Sequence, residues 1–257
     1  MTRNVIGDTA VLLGRSLRHI LRSPDTIITT AIMPIAFMLL FVFVLGGAID
    51  TGQGAGQGSY VSYLLPGILL ITVATGISYT AYRLFLDLKG GIVERFQSMP
   101  IARSSVLWAH VLTSVVANLV SLVLVTGVAL IMGFRSGAGI LAWLAVAGIL
   151  LLFLLALTWI AVIPGLTAKS VDGASAFSYP LIFLPFISSA FVPTASMPGP
   201  VRWFAEHQPV TSIVNSIRAL LAEQPVGADL AIALAWCIGI LVVAYVASTL
   251  IYRRTVS

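Results

Sequence analysis

The residues able to do acid–base, nucleophilic or metal chemistry are few in this chain of 257: nine carboxylates, three histidines, one cysteine and two lysines. His19, His110 and His207 lie far apart, and none stands in an H-E-x-x-H or comparable ligand spacing, so no metal site is expected. Cys237 sits alone in an apolar run, which excludes a disulfide framework and reads as a small buried hydrophobe. With lysine only at 89 and 169, no G-x-x-x-x-G-K-S/T loop can cradle a nucleotide phosphate. The chain is therefore expected to be no enzyme, with no catalytic residue, no cofactor-binding residue and no ATP hydrolysis of its own. His207 beside Glu206 reads as a hydrogen-bonding pair in a loop, and His110 as an interfacial or helix-facing side chain.

What remains is a chemistry of contact. Residues 83–103 carry Arg83, Asp87, Lys89, Glu94, Arg95 and Arg103, six of the 23 charged residues in the chain. The middle of this stretch can form a short helix, bounded by Gly90 and Gly91 before and Pro100 after, that projects Glu94, Arg95 and Phe96; the alternative is an ordinary solvated loop. Residues 4–22 form a second such surface. At 100° per residue, Val5, Ile6, Leu13, Leu17, Ile20 and Leu21 share one face, while Arg15, Arg18 and Arg22 cluster opposite with Asp8 and His19 beside them. That pattern predicts an amphipathic interfacial helix, serving as a basic anchor or also touching a cytoplasmic partner.

The elements that hold these surfaces are membrane spans. The chain is 59% hydrophobic and 9% charged, against about 45–50% and 25% in a soluble domain. Five runs lack Asp, Glu, Lys, Arg and His (27–49, 61–82, 140–168, 173–192 and 230–252), and 104–134 contains only His110. Each is long enough for roughly 20 residues to cross the hydrocarbon, so the fold class expected is all-α integral membrane, a single domain over 1–257 with six transmembrane helices. The net charge of +5 is not a nucleic-acid patch, because most basic residues flank the spans. Eleven of them (Arg3, Arg15, Arg18, Arg22, Arg83, Lys89, Arg95, Arg103, Lys169, Arg253 and Arg254) fall on one side and three (Arg135, Arg202 and Arg218) on the other. That split places both termini in the cytoplasm and the Gly/Gln-rich loop 50–59 outside. The first apolar run, 23 residues long, is too long for a secretory signal and reads as a retained span. Ser23-Pro24-Asp25 supplies its N-cap.

Two segments depart from simple spans. Residues 198–224 are too apolar for a free loop and too polar for a span; with Arg218 inside 210–222, a seventh span is rejected and a re-entrant pair of short helices is expected. Pro180, Pro185 and Pro193 predict a kinked fifth span. Span centres carry no ionisable relay residues, which argues against proton coupling, and no span shows the polar stripe of a channel. Hydroxyl side chains instead dot span two (Thr72, Thr75, Ser78 and Tyr79) and span five (Ser178, Tyr179, Ser188 and Ser189), either as a path for an amphiphile or as helix-packing residues.

The layout resembles the permease subunit of type-2 ATP-binding-cassette (ABC) transporters, in particular daunorubicin/doxorubicin-resistance-like drug exporters. The likeness is carried by Glu94-Arg95 followed by Ser98-Met99-Pro100-Ile101 and Arg103, and by His207-Gln208-Pro209-Val210-Thr211 leading to Arg218-Ala219-Leu220-Leu221, where Gln208 replaces the family's usual Asn. The resemblance implies a homodimer, or a dimer with a close paralogue, bound to two copies of a separate ATPase that holds ATP and Mg. Residues 89–100 would be the coupling helix, with Glu94, Arg95, Phe96, Met99, Pro100 and Arg103 contacting that ATPase. Spans two and five would line the path at the dimer interface (Thr72, Thr75, Tyr79, Ser178, Tyr179, Ser188 and Ser189), and the re-entrant pair would form an external gate. The function expected is export of a hydrophobic or amphiphilic drug, antibiotic or lipid-like molecule across the plasma membrane, with lipids as partners and no nucleic acid. The arginine excess, 12 to two lysines, hints at a GC-rich bacterial source. Export of a polysaccharide or lipid-linked polymer, a membrane-embedded enzyme, and a non-transporting immunity or assembly factor are the alternatives.

Overall fold

The structure is a computed structural model that describes Gly7, Gly14 and residues 25–46, 57–90 and 103–255. Among the described residues every regular element is a helix. In chain order these are α1 (Asp25–Leu39), continued by a π-helical stretch (Leu40–Leu45), α2 (Gln57–Lys89), α3 (Arg103–Ile131), α4 (Ile140–Thr167), α5 (Val171–Ala176) and α6 (Ser178–Phe183). A 3-10 turn (Leu184–Ile187), a second 3-10 turn (Thr194–Ser196), α7 (Gly199–His207), α8 (Pro209–Leu221) and α9 (Asp229–Thr255) follow. Apart from Gly7 and Gly14, which are helical, the amphipathic segment with Arg15, Arg18 and Arg22 lies outside the described residues. So do Ser23 and Pro24, and the segment with Glu94, Arg95, Phe96, Met99 and Pro100; Arg103 opens α3.

Four stretches are long and apolar enough to cross a membrane: Tyr60–Lys89, Leu107–Ile131, Ile140–Thr167 and Asp229–Arg254. At 1.5 Å per residue even the shortest reaches beyond a hydrocarbon core of about 30 Å. Two further apolar helical stretches, Thr30–Val44 and Val171–Ile187, are shorter.

Boundaries follow local chemistry. The charge-free run 104–134 promises a helix to its end, yet α3 stops at Ile131. Gly133 adopts φ 101° there, its N–H bonding Leu130 O at 3.2 Å while Phe134 N–H bonds Ala129 O at 2.9 Å. This is a Schellman closure, and the left-handed residue it needs is supplied by glycine. Phe134 then turns inward and packs edge-on against Trp143 of α4.

The run 173–192 departs most from expectation. It is not one kinked helix but α5 and α6, each six residues long, then a 3-10 turn and an irregular stretch. Ser170 caps α5 by accepting the Gly173 N–H at 3.1 Å. Pro180 and Pro185 lack the donors that would carry an α-helical ladder through this segment, so the chain resets at each.

Helix α2 is the axis of the bundle. It packs against α1, α3, α4, α5, α6 and α8, and Leu64, Leu65, Ile68, Leu70, Ile71, Val73 and Ile77 are fully buried. A Cβ at Gly67 would come within 2.6 Å of the Ala190 Cβ, so glycine is what lets the 188–191 turn lie on α2. Trp159, buried on α4, meets Trp108 of α3 edge-on at 5.2 Å and Tyr245 of α9 at 4.8 Å. These contacts tie the four long helices into one body.

Candidate functional site

Polar groups in an apolar bundle must find partners inside it, and three clusters of such partners stand out among the described residues. The first lies at the end of the bundle where α2 begins. Arg218 of α8 reaches across to α2 and rests over the Tyr63 ring, its guanidinium carbon 3.9 Å from the ring centroid. One guanidinium nitrogen donates to Ser189 O at 2.8 Å and to Tyr63 O at 3.2 Å, and the other to Asn215 Oδ1 at 3.3 Å. Its partners among the described residues are therefore a π face and neutral acceptors. Burial pulls the Arg218 pKa below its ordinary value, yet a guanidinium stays charged at any physiological pH.

Ser189 is the hub of that cluster. Its N–H bonds Thr211 Oγ1 at 3.3 Å, and its Oγ donates to Asn215 Oδ1 at 2.7 Å. Its carbonyl accepts from Tyr63 Oη at 3.1 Å as well as from Arg218. Ser188, fully buried beside it, closes a local turn by donating to Pro185 O at 2.6 Å and accepting from Ala190 N–H at 3.1 Å. Gln208, at the α7–α8 junction, donates its amide to Ile187 O at 2.5 Å and Leu184 O at 3.3 Å, pinning the 3-10 turn to the start of α8.

The second place is the seam between α2 and α3. Thr80 and Ser114 share a short hydroxyl–hydroxyl hydrogen bond, and Asn118 donates to Ser114 O at 3.0 Å while its amide lies against Gly76. The third lies toward the C-terminal end of α2. There Asp87 pairs with His110 of α3 at 3.2 Å, and Arg83 donates to Tyr79 Oη at 3.0 Å. The pair joins the two helices that lead into and out of the charged stretch 91–102.

The expected path residues do not converge on one surface of this chain. Thr72 is buried and donates to Ile68 O at 2.8 Å. Thr75 turns back to Thr72 O at 2.9 Å and Ile71 O at 3.0 Å, and Ser178 bonds Ser175 O at 2.8 Å. Tyr179, 60% exposed, shares an open apolar face with Phe183, which neighbours Phe186; Phe186 in turn stacks on Phe191 at 4.8 Å. Ser188 and Ser189 are drawn to α2, through Tyr63 and Gly67 rather than through the threonines.

Sequence reasoning passed over Tyr63, Asn118, Asn215 and the inward role of Arg218. The signal for Arg218 was present: one arginine in a 13-residue segment of otherwise apolar and hydroxyl-rich sequence, with Asn215 three residues earlier on the same helical face.

Similarity to known proteins agrees with this architecture. The family model for the ABC-2 type transporter matches residues 8–222. A "daunorubicin resistance ABC transporter permease protein" of Streptomyces coeruleorubidus is 26% identical over 220 residues, covering 84% of this chain and 75% of the relative. A "probable doxorubicin resistance ABC transporter permease protein" of Mycobacterium tuberculosis is 28% identical over 255 residues, covering 98% of this chain and 90% of the relative. With four helices long enough to span a membrane and a family match over most of its length, the chain belongs to the ABC-2 type transporter family, permeases that work with separate ABC ATPase subunits.

Proposed function

We propose that this chain is the permease of an exporter that moves hydrophobic or amphiphilic drug-like molecules out of the cell, driven by ATP hydrolysed on a separate ABC ATPase. The observation that carries the reading is the likeness over 98% of the chain to a permease named for doxorubicin resistance, together with the family match. Two permease copies and two ATPase copies form the working unit. Thr30–Val44 and Val171–Ile187 complete six membrane passages with the four long helices, and α7 with α8 forms a re-entrant pair acting as an outer gate. The 11-to-3 division of basic residues puts both termini and the charged stretch 83–103 in the cytoplasm.

In this reading Glu94, Arg95, Phe96, Met99, Pro100 and Arg103 seat on the ATPase, while Arg15, Arg18 and Arg22 hold the N-terminal segment at the cytoplasmic lipid surface. Cargo moves along the faces of spans two and five, with Tyr179 open on this chain and Thr72, Thr75, Tyr79, Ser178, Ser188 and Ser189 reached only as the packed segments part. The apolar face around Tyr179 and Phe183 suits an aromatic, poorly charged cargo because it offers area with few hydrogen-bonding demands. The Asp87–His110 pair at the base of the cytoplasmic stretch keeps α2 and α3 moving together when the ATPase pushes.

The test is efflux of daunorubicin, followed by its own fluorescence, from cells expressing the chain with its ATPase. Export is expected only with both subunits present, and Glu94→Ala with Arg95→Ala should abolish it and weaken co-purification of the ATPase. Retention of daunorubicin in the two-subunit strain rejects this cargo class. Normal export by the double variant rejects the coupling assignment.

A further inference from the structure

Four buried side-chain polar atoms among the described residues lack a protein partner: Tyr60 Oη, Gln208 Oε1, Arg218 Nε and Asn118 Oδ1. The last lies in the α2–α3 seam. Of the other three, Gln208 at the α7–α8 junction and Arg218 on α8 both bond the segment 184–189, and Tyr60 lies in the first turn of α2 with its ring beside Gly46. A settled interior satisfies nearly all such groups, because each unmet one forfeits the hydration it gave up. Gln208 Oε1 and the Nε–H of the Arg218 guanidinium, both on residues that bond this turn, are groups better satisfied when wet.

We propose that Arg218 is the positioning residue of a latch that holds α8 and the 188–191 turn against α2, and that this latch opens to water in the transport cycle. The inference rests on the orientation and outer gate proposed above, and names the residue that governs that gate. Ser189 is the part that is held: its N–H, carbonyl and hydroxyl are all engaged by Thr211, Asn215, Arg218 and Tyr63. Arg218 bridges the three elements from α8, bonding Tyr63 O on α2, Ser189 O on the turn and Asn215 on its own helix.

The choice of partners makes the latch reversible. Carbonyls, an amide oxygen and a tyrosine face hold a guanidinium in place, but among the described residues no carboxylate pairs with its charge and its Nε–H is unmet. Water reaching the junction would satisfy that donor and solvate the charge. The closed arrangement is therefore opposed by a hydration gain on opening. A carboxylate partner would offset that gain by supplying a counter-charge inside the closed state. The full set of bonds needs the planar fork of arginine, which a lysine ammonium does not reproduce.

The experiment uses the full chain with its ATPase in intact cells, in a Cys237→Ala background. Ser188→Cys serves as reporter, since Ser188 is fully buried beside Ser189 and bonds only Pro185 O and Ala190 N–H. Labelling by a membrane-impermeant maleimide added outside is followed in time. Arg218→Met is expected to raise the labelling rate at least tenfold while the chain still co-purifies with its ATPase, and Arg218→Lys to fall between Met and the parent. Asn215→Asp, which places a carboxylate beside the guanidinium, is expected to slow labelling at least threefold below the parent.

A residue that merely supports the fold predicts no such opposed shifts. Equal labelling of the Met variant and the parent overturns the latch, and so does an Asn215→Asp variant labelled as fast as the parent. If the Met variant fails to reach the membrane, the Lys and Asp variants carry the same opposed comparison. A Gln53→Cys control reads sidedness: if it is not labelled from outside, the proposed orientation is rejected, and the latch comparison is made with a permeant maleimide. Labelling requires no knowledge of the cargo, so loss of the daunorubicin reading leaves this test intact.

Discussion

Helices α2 and α9 both carry long charge-free runs, 61–82 and 230–252, and they meet opposite fates. In α2, 83% of the most apolar window lies inside the fold; in α9 the share is 17%. Their side chains differ in kind. The buried helix carries Gly67, Thr72, Thr75, Gly76, Ser78 and Thr80, while the exposed one shows Ile238, Val242, Val243, Val246 and Leu250 outward. In water the more apolar helix would be the inner one. In lipid the solvent is itself apolar, so close approach and internal hydrogen bonds decide which helix goes inside. The inner helix of the pair is accordingly the more hydroxyl-rich one.

Filling a glycine in each helix should separate the two most sharply. A Cβ at Gly67 meets the Ala190 Cβ at 2.6 Å, whereas one at Gly239 of α9 has nothing within 4 Å. Gly67→Leu should cost at least about 3 kcal/mol, at the upper end for overpacking of a close-packed site. Gly239→Leu should stay within about 0.5 kcal/mol, as surface changes do. Thermal unfolding of the two detergent-purified variants, with the parent alongside, checks both. Equal midpoints would mean that α2 is not the packed axis.

A smaller effect separates the hydroxyls. Ser114 of α3 bonds Thr80 across the helix pair, while Ser248 of α9 donates only to Tyr245 O on its own helix, at 3.0 Å. Ser114→Ala should destabilise by about 1 kcal/mol, within the range of interhelical bonds in bilayers, and Ser248→Ala by less than about half of that. Adding Thr80→Ala to Ser114→Ala should cost little more, because the shared bond is already gone. A double-mutant cycle in the same melting assay tests the coupling directly.

The long helices could be read from their charge-free runs, because a span is a question of length and charge alone. Which face of each helix turns inward could not, since apolar side chains line both sides and period carries little information. Residues 173–192 show the second limit. Composition marks an apolar segment, but the position of each break depends on Pro180 and Pro185 acting together with the support that α2 gives at Gly67. The candidate site shows a third. Thr72 and Thr75 stand out in sequence as polar groups on a span, yet each donates to its own helix, which is how a lone hydroxyl settles in an apolar setting. Arg218 reads as one more outward charge in a tally of loop residues. Its inward turn requires Tyr63 and Ser189 from segments 155 and 29 residues away.

A further sharpening concerns helix ends outside the long pair. Helix α8 closes with the same bond pattern as α3, Gln224 N–H to Ala219 O at 2.9 Å and Glu223 N–H to Leu220 O at 3.4 Å. Here the left-handed position is held by Glu223, at φ 54°, not by glycine. A side chain there costs roughly 1 kcal/mol relative to glycine. Glu223→Gly should therefore stabilise by about that amount, whereas Gly133→Ala at the matching position of α3 should destabilise. Opposite shifts in melting temperature are the expected result, and shifts of the same sign would refute the shared closure.

The smallest effect belongs to α7, whose exposed face carries the ion pair Arg202–Glu206 at 2.7 Å, four residues apart on the helix. The hydrogen bond from Arg202 holds the Glu206 carboxyl below its ordinary value of 4.5, with Thr194 adding to the same effect. A depressed carboxylate stabilises the folded state only while it is ionised. The contribution is thus fully present above the ordinary value and disappears as pH falls through the lowered one. Both side chains are exposed, so water and salt screen the pair. Comparing Glu206→Gln with the parent, the difference in melting temperature should be small at pH 7, unchanged while pH stays above the ordinary carboxylate value, and lost as pH falls through the lowered one. It should also shrink in high salt at pH 7. A difference that grew as pH fell would reverse the sign and show that protonated Glu206, not the ion pair, is what α7 favours.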